Sequence, residues 1–291
     1  MPSAPAAQPA QAGAINDSNG LYQVFKRQKR LSVKVDSYFQ VYEQLFARYV
    51  GQPLVFVEVG ILNGGSLFMW RDYFGPQARI IGVDANPAAL QWQAHGFEVH
   101  IGDQSSPAFW DDFYRQVGRI DLLLDDGGHT NTQQVVTAVK AFDQVNDGGL
   151  VVVEDVHASY MREFDNPSRH SFVNFAQFVT DSVNRRYNKL KPSRNGYWQR
   201  VYSVAFYESI VVFNIDARRC WVGQIVENGG VGNGAFDFRG IGVSRWLFQI
   251  DRATPLLSRI ILVKSIKKRV LRLLYYVANK INDHRLGRYF R

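Results

Sequence analysis

Residues 54–84 read LVFVEVGILNGGSLFMWRDYFGPQARIIGVD. Leu54 to Val59 is apolar apart from a single acid, Glu58. A turn containing Gly60, Gly64 and Gly65 follows, then helical spacing from Ser66 to Tyr73, then a second apolar run, Arg79 to Val83, that closes on Asp84. Neither run alternates apolar with polar residues, so each strand is buried on both faces. That is the condition of a parallel sheet covered by helices. In such a sheet a ligand lies beyond the carboxyl ends of the strands, and the strand-end residues are where chemistry is sought.

The same rhythm continues downstream. Helical spacing at Pro87–His95, Pro107–Val117 and Asn131–Val145 alternates with strands at Phe97–Ile101, Ile120–Leu124 and Leu150–Glu154. A helix is expected over Ser171–Leu190, and Arg200–Phe206 with Ile210–Ile215 form an antiparallel hairpin around Tyr207-Glu208-Ser209. Upstream, residues 33–49 carry apolar residues at Val35, Phe39, Val41, Tyr42, Leu45, Phe46 and Tyr49, the spacing of an amphipathic helix. The expected fold is α/β: a Rossmann-like, doubly wound, mostly parallel seven-stranded sheet with an antiparallel edge hairpin, an N-terminal helix and a C-terminal basic helix.

Composition sets the borders. Residues 1–19 are rich in Ala, Pro, Gln and Gly and read as a disordered leader. The folded domain is expected over 20–216. Residues 217–254 form a linker or flap, with seven glycines between 223 and 242. Residues 255–291 form a basic amphipathic helix. Ten of the 34 Lys and Arg, but one of the 26 Asp and Glu, lie in that last segment, which is therefore +9 within a chain of net +8. The body is near neutral, and no nucleic-acid partner is expected. Leu256, Ile260, Val263, Ile266, Val270, Leu274, Val277 and Ile281 make an apolar stripe on the tail. It suits an anionic membrane surface, the protein's own body or a second subunit in a homo-oligomer. Cys220 is the only cysteine, which excludes intrachain disulfides and multi-thiolate zinc sites. A cytoplasmic setting is expected, peripheral at the inner face of the cell membrane if the tail meets lipid.

Asp84, about 20 residues after the glycine turn, is placed to accept hydrogen bonds from ribose hydroxyls. Dinucleotide enzymes share that feature, but their turn is GxGxxG, whereas this one is GxxxGG with Glu58 beside it. A carboxylate there repels a pyrophosphate and suits a cationic ligand. Gly102-Asp103-Gln104 ends the third strand and can meet an adenine amino group. Asp125-Asp126-Gly127-Gly128-His129 ends the fourth strand and Glu154-Asp155-Val156-His157 the fifth, so their carboxylates converge and repel unless a cation sits among them. Oxygen ligands on an open site suit Mg²⁺ or Mn²⁺.

With VEVG, GVDANP, GDQSS and LLLDDGGH in this order, residues 35–215 resemble the class I S-adenosylmethionine (SAM)-dependent methyltransferases. The pair DDGGH and VVVEDVHASY is similar to the metal-dependent O-methyltransferases of macrolide deoxysugars and to relatives called cephalosporin hydroxylases. The resemblance implies a methyl transfer from SAM to a sugar-containing acceptor. It implies that Glu58, Gly60 and Gly64 line the methionine moiety, that Asp84 holds the ribose, and that Asp103 or Gln104 lies near adenine. Asn63, Ser66 and Asp125 are counted with this cofactor group. It further implies Asp126, Glu154 and Asp155 as metal ligands and His129 as general base, with His157 and Tyr160 toward the acceptor. Two other readings stay open: a nicotinamide-dependent oxidoreductase, from Asp84 and the α/β pattern alone, and an inactive methyltransferase-like binding module.

Overall fold

The computed structural model describes residues 20–164, 168–187, 190–231 and 261–289. The leader expected at 1–19 and residues 232–254 of the glycine-rich segment lie outside the described residues. The chain divides into two units, Met1–Gln224 and Ile225–Arg291.

The first unit holds a seven-stranded sheet. In chain order its elements are α1 (Gly20–Arg27), α2 (Tyr38–Phe46), β1 (Val55–Val59), α3 (Gly65–Phe74), β2 (Arg79–Asp84), β3 (Glu98–Ile101), α4 (Pro107–Val117), β4 (Ile120–Asp125), α5 (Asn131–Phe142), β5 (Val145–Val153), α6 (Phe172–Asn184), β6 (Val201–Tyr207) and β7 (Ile210–Ile215). The strand order is β3-β2-β1-β4-β5-β7-β6. The first five strands are parallel, and β7 runs antiparallel to both β5 and β6. The expected seven-stranded sheet with its edge hairpin is the one observed. The order reverses at β1, so the crevice between β1 and β4 is the switch point where this architecture binds ligands.

Strand alternation sorts the core into two layers. Phe56, Leu122, Leu124, Leu150 and Val152 face α1, α2 and α3 and pack on Phe46, Trp70 and Phe74. Val57, Leu123, Val151 and Val153 face α4, α5 and α6, with Trp110, Phe142 and Phe172. Each of these fully buried large side chains contributes about 2–3 kcal/mol.

Local chemistry accounts for the differences from expectation. Pro87–His95 is a 3-10 helix, begun by Asn86, whose side chain accepts from the Ala88 amide, with Pro87 in the first turn. Ser171 caps α6 by accepting from the Asn174 amide, and α6 ends at Asn184, six residues short of Leu190. The helix expected over 33–49 is confined to Tyr38–Phe46. Val35 is left outside it and exposed.

In the second unit, α7 (Ile261–Leu286) is a single long helix. Ile266, Val270, Leu273, Val277 and Ile281 are exposed along it at spacings of three and four. Among the described residues no helix is long and apolar enough to cross a membrane.

Candidate active site

Three backbone hydrogen bonds continue the parallel ladders past the strand ends. Gly60 N donates to Val83 O at 2.8 Å, Asp126 N to Val59 O at 3.0 Å and Glu154 N to Asp125 O at 2.9 Å. With Val59 level with Asp125, and Asp125 level with Val153, residues 60, 126 and 154 stand side by side in one row. Gly60 has φ +82°, and a Cβ there would lie 2.1 Å from Asp126 O. Only glycine lets the two strand ends close to this distance.

Beyond the row lies a cavity of about 540 Å³. Gly60, Asn63, Ser66, Asp84, Asp103 and Gln104 line one part, Asp126, His129 and Asp155 another, and Leu31, Ser32, Val33 and Lys34 a third. Leu62, His129 and Asp155 all carry positive φ, at 39°, 58° and 52°. For non-glycine residues this backbone is strained, and such strain concentrates at functional sites.

At the cofactor-like end, Asp84 Oδ2 accepts from the amides of Ile61 and Leu62, both at 3.1 Å, and Oδ1 from Asn86 N at 2.8 Å. Asp84 therefore pins the turn, and its remaining lone pairs are available to a ligand's hydroxyls. Asp103 is exposed. The Ser105 hydroxyl and amide hold its carboxyl below the usual value. Gln104 is occupied, donating to Asp125 Oδ1 at 2.9 Å and accepting from Gly128 N at 3.0 Å.

Four residues assigned from sequence to the cofactor or metal do not reach the cavity wall. Glu58 is fully buried, accepting from Ser66 Oγ at 2.6 Å and Trp70 Nε1 at 3.0 Å. Burial pushes its pKa up. Gly64 is the left-handed cap of α3, packed on the Trp92 indole. Asp125 faces the opposite layer from Asp126, because side chains alternate along a strand. It is buried against Gln104 and the Gly127 amide, and burial raises its pKa to about 6. It does not cap α5, whose cap is Thr130 in a capping box with Gln133. Glu154 is 1% exposed and takes a hydrogen bond from the Tyr42 hydroxyl. Burial holds its pKa well above the carboxylate range.

The residue that sequence reasoning missed is Lys34. Its side chain is 2% exposed, and its Nζ contacts Asp126 Oδ2, both oxygens of Glu154 at 3.3–3.4 Å and Glu58 Oε1 at 3.6 Å. Taking an ammonium out of water costs several kcal/mol. Burial lowers its pKa, but Glu154, Asp126 and Glu58 outweigh burial and hold the ammonium well above its usual range. Tyr42 was legible only as an apolar position, and Tyr38 was not singled out. Their hydroxyls in fact donate to Asp155 Oδ1 and Glu154 Oε1.

Among the described residues, the group able to converge on a metal is Asp126, His129 and Asp155, whose ligating atoms lie within 4.8 Å of one another. His129 Nε2 is 3.4 Å from Asp155 Oδ2 and 4.0 Å from Asp126 Oδ1, while its Nδ1 is buried with no hydrogen-bond partner among the described residues. All three residues are about one-fifth exposed, toward the cavity. Two carboxylates and an imidazole directed to one point fit a divalent cation. Of the acceptor candidates, His157 is held by Ser209 Oγ at 2.9 Å and Tyr160 is 69% exposed. Neither lines the cavity.

No protein-family model matches the chain. It is 33% identical over 173 residues to 8-demethyl-8-alpha-L-rhamnosyl tetracenomycin-C 2'-O-methyltransferase of Streptomyces olivaceus, a match covering 56% of this chain and 44% of that protein. It is 32% identical to mycinamicin VI 2''-O-methyltransferase of Micromonospora griseorubida, over 42% of this chain and 32% of that one. The chain thus spans less than half the length of the curated relatives it matches. Among solved structures it is similar to the MycE methyltransferase of the mycinamycin biosynthetic pathway in complex with Mg, SAH and mycinamycin VI. The TM-score is 0.59 and the identity 21%, over 74% of this chain and 56% of that one. A second crystal form with Mg and SAH gives 0.60. The fold is that of the Rossmann-like methyltransferases.

Proposed function

We propose that the chain is a divalent-metal-dependent SAM O-methyltransferase that methylates a sugar hydroxyl of a glycan or glycosylated natural product. One observation carries this reading. A single cavity joins a ribose-type acid, Asp84, to two carboxylates that can share a metal, Asp126 and Asp155, with the His129 imidazole beside them as base. The curated relatives support it, one named as the 2'-O-methyltransferase of a rhamnosyl compound and the other as a 2''-O-methyltransferase, as does the structural neighbour named with Mg and SAH.

Asp84 takes the ribose hydroxyls, Asp103 lies on the adenine side, and Gly60, Asn63 and Ser66 border the methionine end. Asp126 and Asp155 hold the metal from the cavity side, while Glu154 stands behind Asp126, buried on Lys34 and Tyr42. When bound, SAM supplies an electrophilic methyl group, and a divalent ion acidifies a hydroxyl of a vicinal pair, as it does water. His129 takes the proton. Its Nδ1 is enclosed, so Nε2 is the nitrogen available to an acceptor. A positioned base is worth roughly 10² to 10⁴ in rate, and alignment of acceptor oxygen and methyl supplies much of the rest.

The test is methyl transfer from labelled SAM to sugars bearing vicinal hydroxyls, with Mg²⁺ present. EDTA should abolish turnover, and Asp126→Ala and His129→Ala should lose it while still binding S-adenosylhomocysteine (SAH). Turnover retained in both variants would overturn the reading. We also propose that α7 docks on an anionic lipid surface. The apolar line from Ile266 to Ile281 and the +9 charge of residues 255–291 favour this over a second copy of the chain.

A further inference from the structure

We propose that Lys34 is a positioning residue of the metal centre, an ammonium that coexists with the metal and orients Asp126 and Glu154 from behind. The inference rests on the metal reading above. It goes beyond that reading by assigning a role to a residue outside every strand-end motif.

Asp126 offers its two oxygens to different sides. Oδ2 is taken by Lys34, while Oδ1 is the oxygen nearer His129 Nε2. Lys34 borders the cavity, but its side chain is 2% exposed and its ammonium is directed to the two fully buried carboxylates, Glu58 and Glu154, whereas Asp126, His129 and Asp155 are each about one-fifth exposed toward the cavity. The ammonium and a divalent ion therefore use opposite oxygens of Asp126 and need not exclude each other. A partner that fixes a ligating carboxylate from behind is worth about 10- to 100-fold in metal affinity.

Lys34 also connects this centre to the rest of the cavity. It lies in the irregular segment between α1 and α2, residues 28–37, whose contacts include Gln28 Nε2 to Asp72 Oδ2 at 2.8 Å and the Arg30 guanidinium over Phe68 and Trp92. Between these anchors the segment passes over Gly65, where a Cβ would lie 2.2 Å from Leu31 O. A single cation thus ties the ends of β1, β4 and β5 to the segment that borders the cofactor end.

The experiment is Mn²⁺ titration of the full chain, followed by electron paramagnetic resonance, with circular dichroism and melting curves reporting the fold. Lys34→Ala should bind Mn²⁺ about 10- to 100-fold more weakly than wild type. Adding n-propylammonium, which replaces the missing cation, should recover part of that loss. Lys34→Arg, which keeps the charge and carries the test if the alanine variant does not fold, should stay within about threefold of wild type. Unchanged or tighter binding by Lys34→Ala would overturn the inference, as would a tenfold loss in a folded Lys34→Arg. If wild type itself took no Mn²⁺, the metal reading would fall and this inference with it. Mn²⁺ held equally by wild type and Lys34→Ala removes the inference alone.

Discussion

Three glycine-to-alanine substitutions separate the two reasons the structure needs glycine around the site. Gly96 has φ +81° and, among the described residues, nothing within 4 Å of the place a methyl would take, so Gly96→Ala meets only the left-handed backbone cost, about 1–2 kcal/mol. Gly65 has ordinary backbone angles, but its methyl would lie 2.2 Å from Leu31 O and 2.9 Å from Arg30 O. Gly65→Ala meets only the steric term, about 1–3 kcal/mol, reduced by up to about 1 kcal/mol of helix propensity. Gly60 combines both, with φ +82° and a methyl 2.1 Å from Asp126 O and 2.8 Å from Gly127 Cα. Gly60→Ala should therefore cost about 2–5 kcal/mol. Urea unfolding with a constant m-value ranks the three, and Mn²⁺ titration reports whether the β4 end has moved. Gly60→Ala should be the least stable and should lose metal affinity, whereas Gly65→Ala should weaken SAH binding by displacing Leu31. If Gly60→Ala were no less stable than Gly96→Ala, the β1 and β4 ends would not be in rigid contact, and residues 60, 126 and 154 would not act as one row.

Other parts of the molecule give independent checks. Asp84→Ala strips acceptors from the amides of Ile61, Leu62 and Asn86. It should lower SAH affinity at least about tenfold by calorimetry, since hydrogen bonds to a charged group are worth about 1.5–3 kcal/mol; unchanged affinity would remove Asp84 from the ribose role. The Asp103 carboxyl is held low by Ser105, so the stability it confers is present above the ordinary carboxylate range and fades as pH falls through its lowered pKa. Ser105→Ala should move the Asp103 titration upward in a carboxyl carbon NMR experiment, and an unmoved midpoint contradicts the assignment. Deleting residues 255–291 should abolish co-sedimentation with phosphatidylserine vesicles while leaving turnover on a soluble acceptor. Vesicle binding by the truncated chain, or a shift from dimer to monomer instead, would refute lipid docking by α7.

The sheet was legible because its signal is local. Unalternating apolar runs such as Leu54 to Val59 and Leu150 to Val153 can be buried only on both faces, and Gly60 after the first and Glu154 after the second mark where the strands stop. Less legible were elements decided by a few polar contacts, such as the Asn86 cap and the early end of α6. Of the acids at these strand ends, Asp125 is read with the cofactor and Asp126, Glu154 and Asp155 with the metal, whereas the structure buries both Asp125 and Glu154 away from the cavity. Period-two alternation already separates them: residues 58, 126 and 154 share the face of Phe56, Leu124 and Val152, and 125 takes the other. Asp155 reaches the cavity because its backbone turns left-handed, at φ 52°, a feature that residue type does not announce.

Lys34 escaped for a different reason. Its partners lie 24, 92 and 120 residues away in sequence, and as the second residue of an apparent amphipathic helix it reads as an ordinary solvated cation. Its neighbours nevertheless carry a usable signal. Tyr38 and Tyr42 are four apart, so on a helix their hydroxyls fall on one face, and buried tyrosine hydroxyls need partners. That face meets the strand-end acids, Tyr38 on Asp155 and Tyr42 on Glu154, and beside them lie Glu58 and Asp126, more carboxylates than two neutral hydroxyls can balance. A cation just before the helix is what such an arrangement requires. Electrostatic necessity thus has two answers at this site, a divalent ion on the cavity side and an ammonium on the buried side. Counting carboxylates and assigning them all to metal overlooks the second.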